Sequence, residues 1–562
     1  MASIVHKTVG GQTYYYLREM ARVAGKPKMI SQRYLGKASD IEAAMDGAMS
    51  LPERTRHLGF GDLAAVWSIL ERLEVASIID DVVGPRRSDA AASVGTYIAL
   101  AAANRIVAPC SKLAFADWWA TTAGDRWLRV PSAALDHRRF WDAMHALDTE
   151  ALVEIERRLV AKMVAEFGVD LSGLVLDMTN FATYIDSAND RADIAQRGHA
   201  KQKRTDLRLV GLGLVVSVDG GIPICSHTYA GNKPDVTQFA GIVTELVKRW
   251  GPLAKSSDEL TLVYDAGQDS QANQAHIEAS PLHFIGSLPP SDHPDLLAVP
   301  SRRFGLVDAD LFAGLTAFDT RGTALGAERR LIVTHSPTLH AKQVQGFEQT
   351  MAGARRRLAE LAERLARGKT RKTRAGIEAD IARILKPRWL TRVITATLTG
   401  EEPSDFALQW AVDPKAVKAL ADEIFGKRIL FTDRDDWTVA RVVAGYRSQS
   451  SVENDFRQMK DPHVVSFSPM FHWTDQNIRV HSFYCVLALT VARLMRRQAA
   501  NAGMEMSVTE LLSTLAGVQE TVLLYPSTGG RPKARRMLTE INPTQKRLYD
   551  LFGLATYAPT QP

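Results

Sequence analysis

Between residues 173 and 288, five short apolar stretches follow one another, with helical patterns set between the later ones. This order restricts the fold more than any other feature of the chain. "GLVLDM" (173–178), "LVGLGLVVSV" (209–218) and "IPICSHTYA" (222–230) are short apolar runs, the length of strands rather than helices. Asp219-Gly220-Gly221, between the second and third, supplies a hairpin turn. Asp235 with Gln238 three residues on reads as a variant capping box opening the helix "VTQFAGIVTELVKRW". "LTLVYD" (260–265), the helical "SQANQAHIEA" and "HFIGSL" (283–288) complete the set. The order strand, strand, strand, helix, strand, helix, strand predicts an α/β domain with a mixed five-stranded sheet and flanking helices.

Other regions surround it. Residues 1–55 read as an N-terminal β unit: "VHKTV", the turn pair Gly10-Gly11 and "QTYYYL" form a hairpin, followed by "KMISQRYLG". Residues 56–168 are helical, because "LAAVWSILERL", "TYIALAAANRI", "RFWDAMHAL" and "EALVEIERRLVAKMVAEF" space apolar residues by three and four. The sheet domain, 169–290 and 428–500, is interrupted at 291–427 by an α+β insertion. The insertion carries a basic helix from about Leu339 to Leu385 and the strands "VITATL" and "FALQWAV". After it come a long helix over 436–461, stopped by Pro462, and a largely buried helix, "NIRVHSFYCVLALTVARLMRR". The tail, 501–562, reads as helical and carries the basic "RPKARRML" and "TQKRLYDL".

With 562 residues, 46% hydrophobic and 23% charged, the chain has the profile of a soluble globular protein of two to four domains. A net charge of +6 suits a polyanionic partner. Cys110, Cys225 and Cys485 are too scattered for a disulfide framework or a zinc site, and fit a reducing cytoplasm. "MASIVHKTVGG" reaches a turn before any apolar core forms, so no secretory leader is expected. The apolar runs "FYCVLALTVA" and "YIALAAAN" are too short to span a bilayer, and no membrane partner is expected.

Three acids stand out by position. Asp177 ends the first strand of the sheet, Asp265 ends the fourth at the turn "DAGQDS", and Glu453 lies on the helix after the interruption. In a sheet of this order the first and fourth strands are neighbours. Both aspartates then occupy one rim, where open α/β sheets bind ligands. A helix packed across the sheet brings Glu453 to the same point. Tyr446, Glu453 and Lys460 are spaced by seven, which on one helix sets them within about 20° of each other. Gln449 and Arg457 share that stripe. A carboxylate flanked by a phenol, an amide and cations suits gripping metal and phosphate together. Hard dications such as magnesium prefer these oxygens, and His227, His472 and His481 lack metal-ligand spacing.

On these residues the chain resembles the bacterial insertion-sequence transposases with a DDE triad on a ribonuclease-H-like fold, in the group marked by Y-x2-R-x3-E-x6-K. Tyr446, Glu453 and Lys460 match at the family's spacing, while the family arginine falls on Gln449. "LVLDMTN", "LVYDAGQDS", "AGNKPD" (230–235), "FRQMK" and "IRVHSFYCVLAL" are also similar to the group. The resemblance implies that Asp177, Asp265 and Glu453 are catalytic and hold two divalent ions, magnesium with manganese as a substitute. It implies phosphate contacts at Tyr446 and Lys460. Glutamine at 449 lacks the bidentate grip of arginine, and Arg457 or Arg447 stands in for it. The implied partners are DNA, as terminal inverted repeats and target, and further copies of the chain in a homodimer or higher assembly on paired ends. Two alternatives stay open: a nuclease of the same fold that does not join strands, and a catalytically silent DNA-binding derivative.

Arg355 to Arg374 holds nine basic residues against two acids. Arg355, Arg356, Arg364, Arg367, Lys369 and Arg371 are candidates for DNA-backbone contact, and the same stretch also reads as a solvated helix face. Trp389, Trp410 and Trp437 read as core packing or, by the resemblance, as a platform for a flipped base, Trp410 first. His199, Lys201, Lys203 and Arg204 form a basic loop. Asp186, Asp219 and Asp269 read as turn or cap residues, with Asp269 capping the helix near Ser270.

Overall fold

Gly10 and Gly11 take positive φ, 58° and 82°, the geometry of a two-residue hairpin turn. Strand β1 (Ala2–Val9) pairs antiparallel with β2 (Gln12–Val23) across it, and β3 (Lys26–Gly36) lies on the far edge of β2. The structure is a computed structural model. It describes every residue except 1, 24–25, 50, 85–90, 187, 199–205, 251–259, 369, 526–532 and 561–562.

The chain divides into two units. The first comprises Met1–Ser68, Ala116–Ala133 and Thr509–Pro562; the second comprises Ile69–Phe115 and Ala134–Val508. In the first unit, β4 (Arg54–Gly59) pairs with the tail strand Gln519–Tyr525, which pairs in turn with Lys533–Leu538. The tail is therefore not wholly helical, although Pro543–Leu551 is a helix with a capping box at Asn542. The strands are explained by Glu520, fully buried and paired with Arg126 at 2.6 Å and Arg536 at 2.5 Å. The basic run "KARRML" supplies one of those cations from the neighbouring strand.

The second unit is built on one mixed sheet. Its strands are β5 (Gly173–Thr183), β6 (Arg208–Ser217), β7 (Pro223–Ala230), β8 (Thr261–Val263), β9 (His283–Leu288), β10 (Gly305–Leu306), β11 (Thr316–Ala324) and β12 (Ala327–His335), with β15 (Lys427–Thr432) returning later. β13 (Ile394–Thr399) and β14 (Ala407–Val412) form a separate hairpin. The sheet order is β10-β11-β12-β15-β9-β8-β5-β6-β7. The five expected strands are contiguous within it, β5 to β7 antiparallel and β5, β8 and β9 parallel. The sheet has nine strands rather than five, because β10 to β12 and β15 extend it beyond β9. β15 pairs antiparallel with both β12 and β9, covering an edge that would otherwise expose unpaired backbone groups.

The helices over this sheet differ from the sequence expectation at three points. The helix expected over 436–461 is two, Val439–Arg447 and Gln449–Lys460, parted at Ser448. The Ser448 hydroxyl donates back to the Gly445 carbonyl, a side-chain bond that competes with the helical ladder. The basic helix is likewise two, Pro337–Ala366 and Arg374–Leu385, with Gly368 at φ 62° between them. No capping box forms at Asp235: its helix is Phe239–Trp250, and Asp235 instead accepts from the Tyr229 hydroxyl at 2.6 Å. Asp475–Asn501 is the buried helix foreseen. It is long and apolar enough to cross a membrane, yet 89% of its most apolar window is buried inside the fold.

Candidate functional site

β5 and β8 run parallel, with Val175 opposite Val263, and Val263 lies opposite Ile285 of β9. Asp177, Asp265 and Ser287 each stand two residues further along their strands. Side chains alternate along extended backbone, which Asp265 retains at φ −94° and ψ 162°. The three therefore form one row on one face of three neighbouring strands, spaced by about 4.8 Å per strand. Hydrogen bonds bear this out on one side, where the Ser287 hydroxyl donates to Asp265 Oδ1 at 3.1 Å. Asp177 is half-buried, and its Oδ1 accepts from the Met178 backbone N–H at 2.7 Å. It does not end its strand as expected. β5 continues to Thr183 because β6 pairs with it all the way, while its pairing with short β8 stops at Val175.

The helix Val439–Arg447 covers this row. Tyr446 is buried, and its hydroxyl lies 3.1 Å from Asp265 Oδ1 and 3.0 Å from Ser287 Oγ. Burial, reinforced by the Asp265 charge and opposed by Arg428 over the ring, pushes the phenol up to about 12. Tyr446 is thus a neutral donor committed to Asp265, and shares no stripe with Glu453.

The helix Gln449–Lys460 packs across β5. Val452, Phe456 and Met459 are buried beneath it, and Lys460 Nζ donates to Thr179 Oγ1 at 2.7 Å. Thr179 is on the same face as Asp177, one side-chain step along. At about 100° per residue, Glu453 lies about 20° from Lys460 around the helix, with Gln449 and Arg457 about 40° to either side. Glu453 is exposed on that flank, as is Arg457, which donates to Asn454 at 3.0 Å. The sheet brings Asp177 and Asp265 together; Glu453 remains solvent-facing. Among the described residues no three His, Cys, Asp or Glu side chains are grouped closely enough to hold a metal ion.

Sequence reasoning missed two residues here. Ser287 carries no signal in an apolar strand. Asp269 is not the expected cap: Ser270 caps the helix Gln271–Glu278 through its Oγ, which accepts from Asn273 at 3.0 Å. Both Asp269 carboxylate oxygens are buried without a partner among the described residues. Burial first, then the charges of Asp265 and Asp292, push it up to about 8. The adjacent pair Asp269-Ser270, two cap formers where one suffices, was the available clue.

Arg355, Arg356, Arg364, Arg367 and Arg371 are exposed, the first three on the helix Pro337–Ala366, while Leu358, Leu361 and Leu365 are buried beneath it. Lys369 lies outside the described residues, as do His199, Lys201, Lys203 and Arg204. Trp389 packs against Phe425 at 5.3 Å between ring centres, and the guanidinium groups of Arg434 and Arg441 lie 5.0 and 3.9 Å from the Trp437 ring. Trp410, on β14, is half-buried. His481 is buried and held neutral by desolvation, and the same effect pushes His472 down to about 3 and lowers His227.

No family model matches the chain, and no curated protein matches it. Among solved structures, it is similar to a piggyBac transposase in a cryo-EM synaptic complex with hairpin DNA, at TM-score 0.39 and 9% identity. The likeness covers 81% of this chain and 79% of that one. At that level it carries no functional argument.

Proposed function

We propose that the chain is a DNA transposase of the insertion-sequence kind, with a ribonuclease-H-like catalytic sheet. It binds terminal inverted repeats, cuts at them, and joins the freed 3′-hydroxyl to target DNA. The observation that carries this reading is the row of Asp177 and Asp265 on adjacent parallel strands, with the helix bearing Glu453 and Lys460 packed over the same face. The donors are carboxylate oxygens, the set that magnesium prefers, and Asp269 adds two buried oxygens that lack a partner. Asp177 and Asp265, joined by Glu453 through a change of rotamer on DNA binding, would hold two magnesium ions, with manganese as a substitute. When bound, such ions stabilise the entering and leaving oxygens of an in-line displacement at phosphorus.

The chain's own residues orient that chemistry. Tyr446 and Ser287 donate to Asp265 and fix its carboxylate with a lone pair free. Lys460, Arg457 and Gln449 present the phosphate-facing flank, and Arg447 adds a cation before it. Arg355, Arg356, Arg364, Arg367 and Arg371 track the DNA backbone through sequence-independent, salt-sensitive contacts. The reaction requires two ends held together, hence a homodimer or larger assembly acting on DNA in the cytoplasm.

The test is magnesium-dependent cleavage of DNA carrying the flanks of this gene, followed by strand transfer from a pre-cut end. Asp177→Asn should lower cleavage by about 100-fold or more while leaving end binding intact. Equal cleavage by wild type and variant would remove the assignment. One observation favours a second reading, a silent DNA-binding derivative: Glu453 faces solvent and no three-acid group forms among the described residues. Wild type that binds the ends but never cuts them would establish that alternative.

A further inference from the structure

A cavity of about 310 Å³ in the second unit is lined by Arg105, Lys112, Trp141, Phe471, His472 and Tyr484 among others. It lies among the helices Val94–Val107, His137–His145 and Asp475–Asn501, apart from the acid row on the sheet. Two cations stand in its wall. Arg105 is 1% exposed; it donates to the carbonyls of Ser468 at 2.7 Å and Cys110 at 2.5 Å, and its Nε has no partner. Lys112 is 7% exposed, and its Nζ is buried with no hydrogen-bond partner among the described residues. Three ring faces stand around that nitrogen, those of Tyr484 at 4.6 Å, Phe140 at 5.1 Å and Phe115 at 5.6 Å. Neither cation forms an ion pair with a carboxylate among the described residues.

Two buried cations without a counter-ion are costly, because desolvation is recovered only when an opposite charge is supplied. The histidines cannot supply it. The chain answers in part by favouring the neutral amine, since burial and the Arg105 charge hold Lys112 well below its ordinary range. Much of the rest of the cavity wall is aromatic, with Trp141, Phe471 and Tyr484 set among His137, His472 and Ser111. Trp141 stands edge-on to His137 at 4.8 Å, and Phe471, 54% exposed, borders the cavity beside exposed Leu113. A site with unpaired cations and aromatic walls selects a ligand with both an anionic group and a planar ring.

We propose that this cavity binds a small aromatic anion, its carboxylate or phosphate against Lys112 and Arg105 and its ring against Trp141 and Phe471. The site is independent of the proposed DNA reaction. The experiment is titration of the full chain, followed by tryptophan fluorescence and calorimetry, with benzoate, phenyl phosphate, thymidine 5′-monophosphate and inorganic phosphate. Benzoate and phenyl phosphate should bind at least about tenfold more tightly than inorganic phosphate. Thymidine monophosphate distinguishes the source: binding identifies a nucleotide ligand, and failure while benzoate binds identifies a carboxylate. Lys112→Met should weaken the aromatic anions at least about tenfold without lowering the melting temperature, since a buried polar group gives way to an apolar chain of similar length. Trp141→Ala, at a half-buried ring, should weaken the aromatic anions and leave inorganic phosphate unchanged. Absence of binding by every aromatic anion, no preference over inorganic phosphate, or unchanged benzoate affinity in Lys112→Met would each overturn the proposal.

Discussion

Asp269 shows at the level of one residue how the chemistry of a proposed site opposes stability. Its carboxyl is raised from 3.8 to about 8, with burial the larger cause and the Asp265 and Asp292 charges the smaller. Between those values the folded chain keeps a proton that the unfolded chain releases. The stabilisation is complete below about pH 4 and is lost as pH rises through about 8. Unfolding free energy, measured by urea titration in the presence of a chelator, should therefore fall from pH 4 to pH 8. Asp269→Asn should abolish that decline and, after allowance for solvent screening, stabilise the chain at pH 8 by about 1–2 kcal/mol. A decline of unchanged size in the variant would assign it to another group. Asp269 escaped the sequence reading because an aspartate before a helix is ordinarily a cap, and only the structure shows Ser270 in that role. Asp177 and Asp265 were legible because polar residues interrupt apolar strands. Yet "TNFAT" after Asp177 alternates well enough to continue the strand against β6, so the acid is an interior break and not a terminus.

Between elements, the orientation of the helix Gln449–Lys460 rests on Asp455, which is fully buried and paired with Arg493 of the helix Asp475–Asn501. Burial raises the Asp455 carboxyl to about 7 despite the opposing Arg493 charge, and its second oxygen has no partner. Arg493→Met strands that carboxyl and should cost about 3–5 kcal/mol in urea unfolding. Adding Asp455→Leu should restore most of the loss; if it does not, packing rather than charge holds the helix. The sequence foretold the N-terminal hairpin from Gly10-Gly11 and the adjacency of the strands bearing Asp177 and Asp265 from their order. It did not reveal the break at Ser448, because the buried positions keep helical spacing on either side, Val442 to Tyr446 and Val452 to Phe456, and only the step of six between Tyr446 and Val452 departs from it. The nine-stranded sheet was also out of reach. β15 meets β9 and β12 through long-range pairing, which no local pattern encodes.

For the molecule as a whole, a net charge of +6 is modest, so its distribution matters more than its sum. Replacing Arg355, Arg356, Arg364 and Arg367 together with glutamine should leave the fold intact, because Leu358, Leu361 and Leu365 keep the buried face. DNA affinity at about 0.1 M salt should fall roughly 10- to 100-fold, and the log–log salt slope should shrink by about 0.9 for each phosphate that is no longer neutralised. An unchanged slope would mean that these side chains only solvate the helix. The helix that carries most of them starts at Pro337, directly after β12, and is braced by β14. At about 1.5 Å per residue its 30 residues reach roughly 45 Å, with the arginine-rich part beginning about 27 Å from the root. It is a beam rooted in the plate that bears the acids, since β12 is laced through β15 to β9, and its outer half is packed through Leu358, Leu361 and Leu365. A load on its far end is delivered as torque to that plate, with no slack loop between them to absorb it.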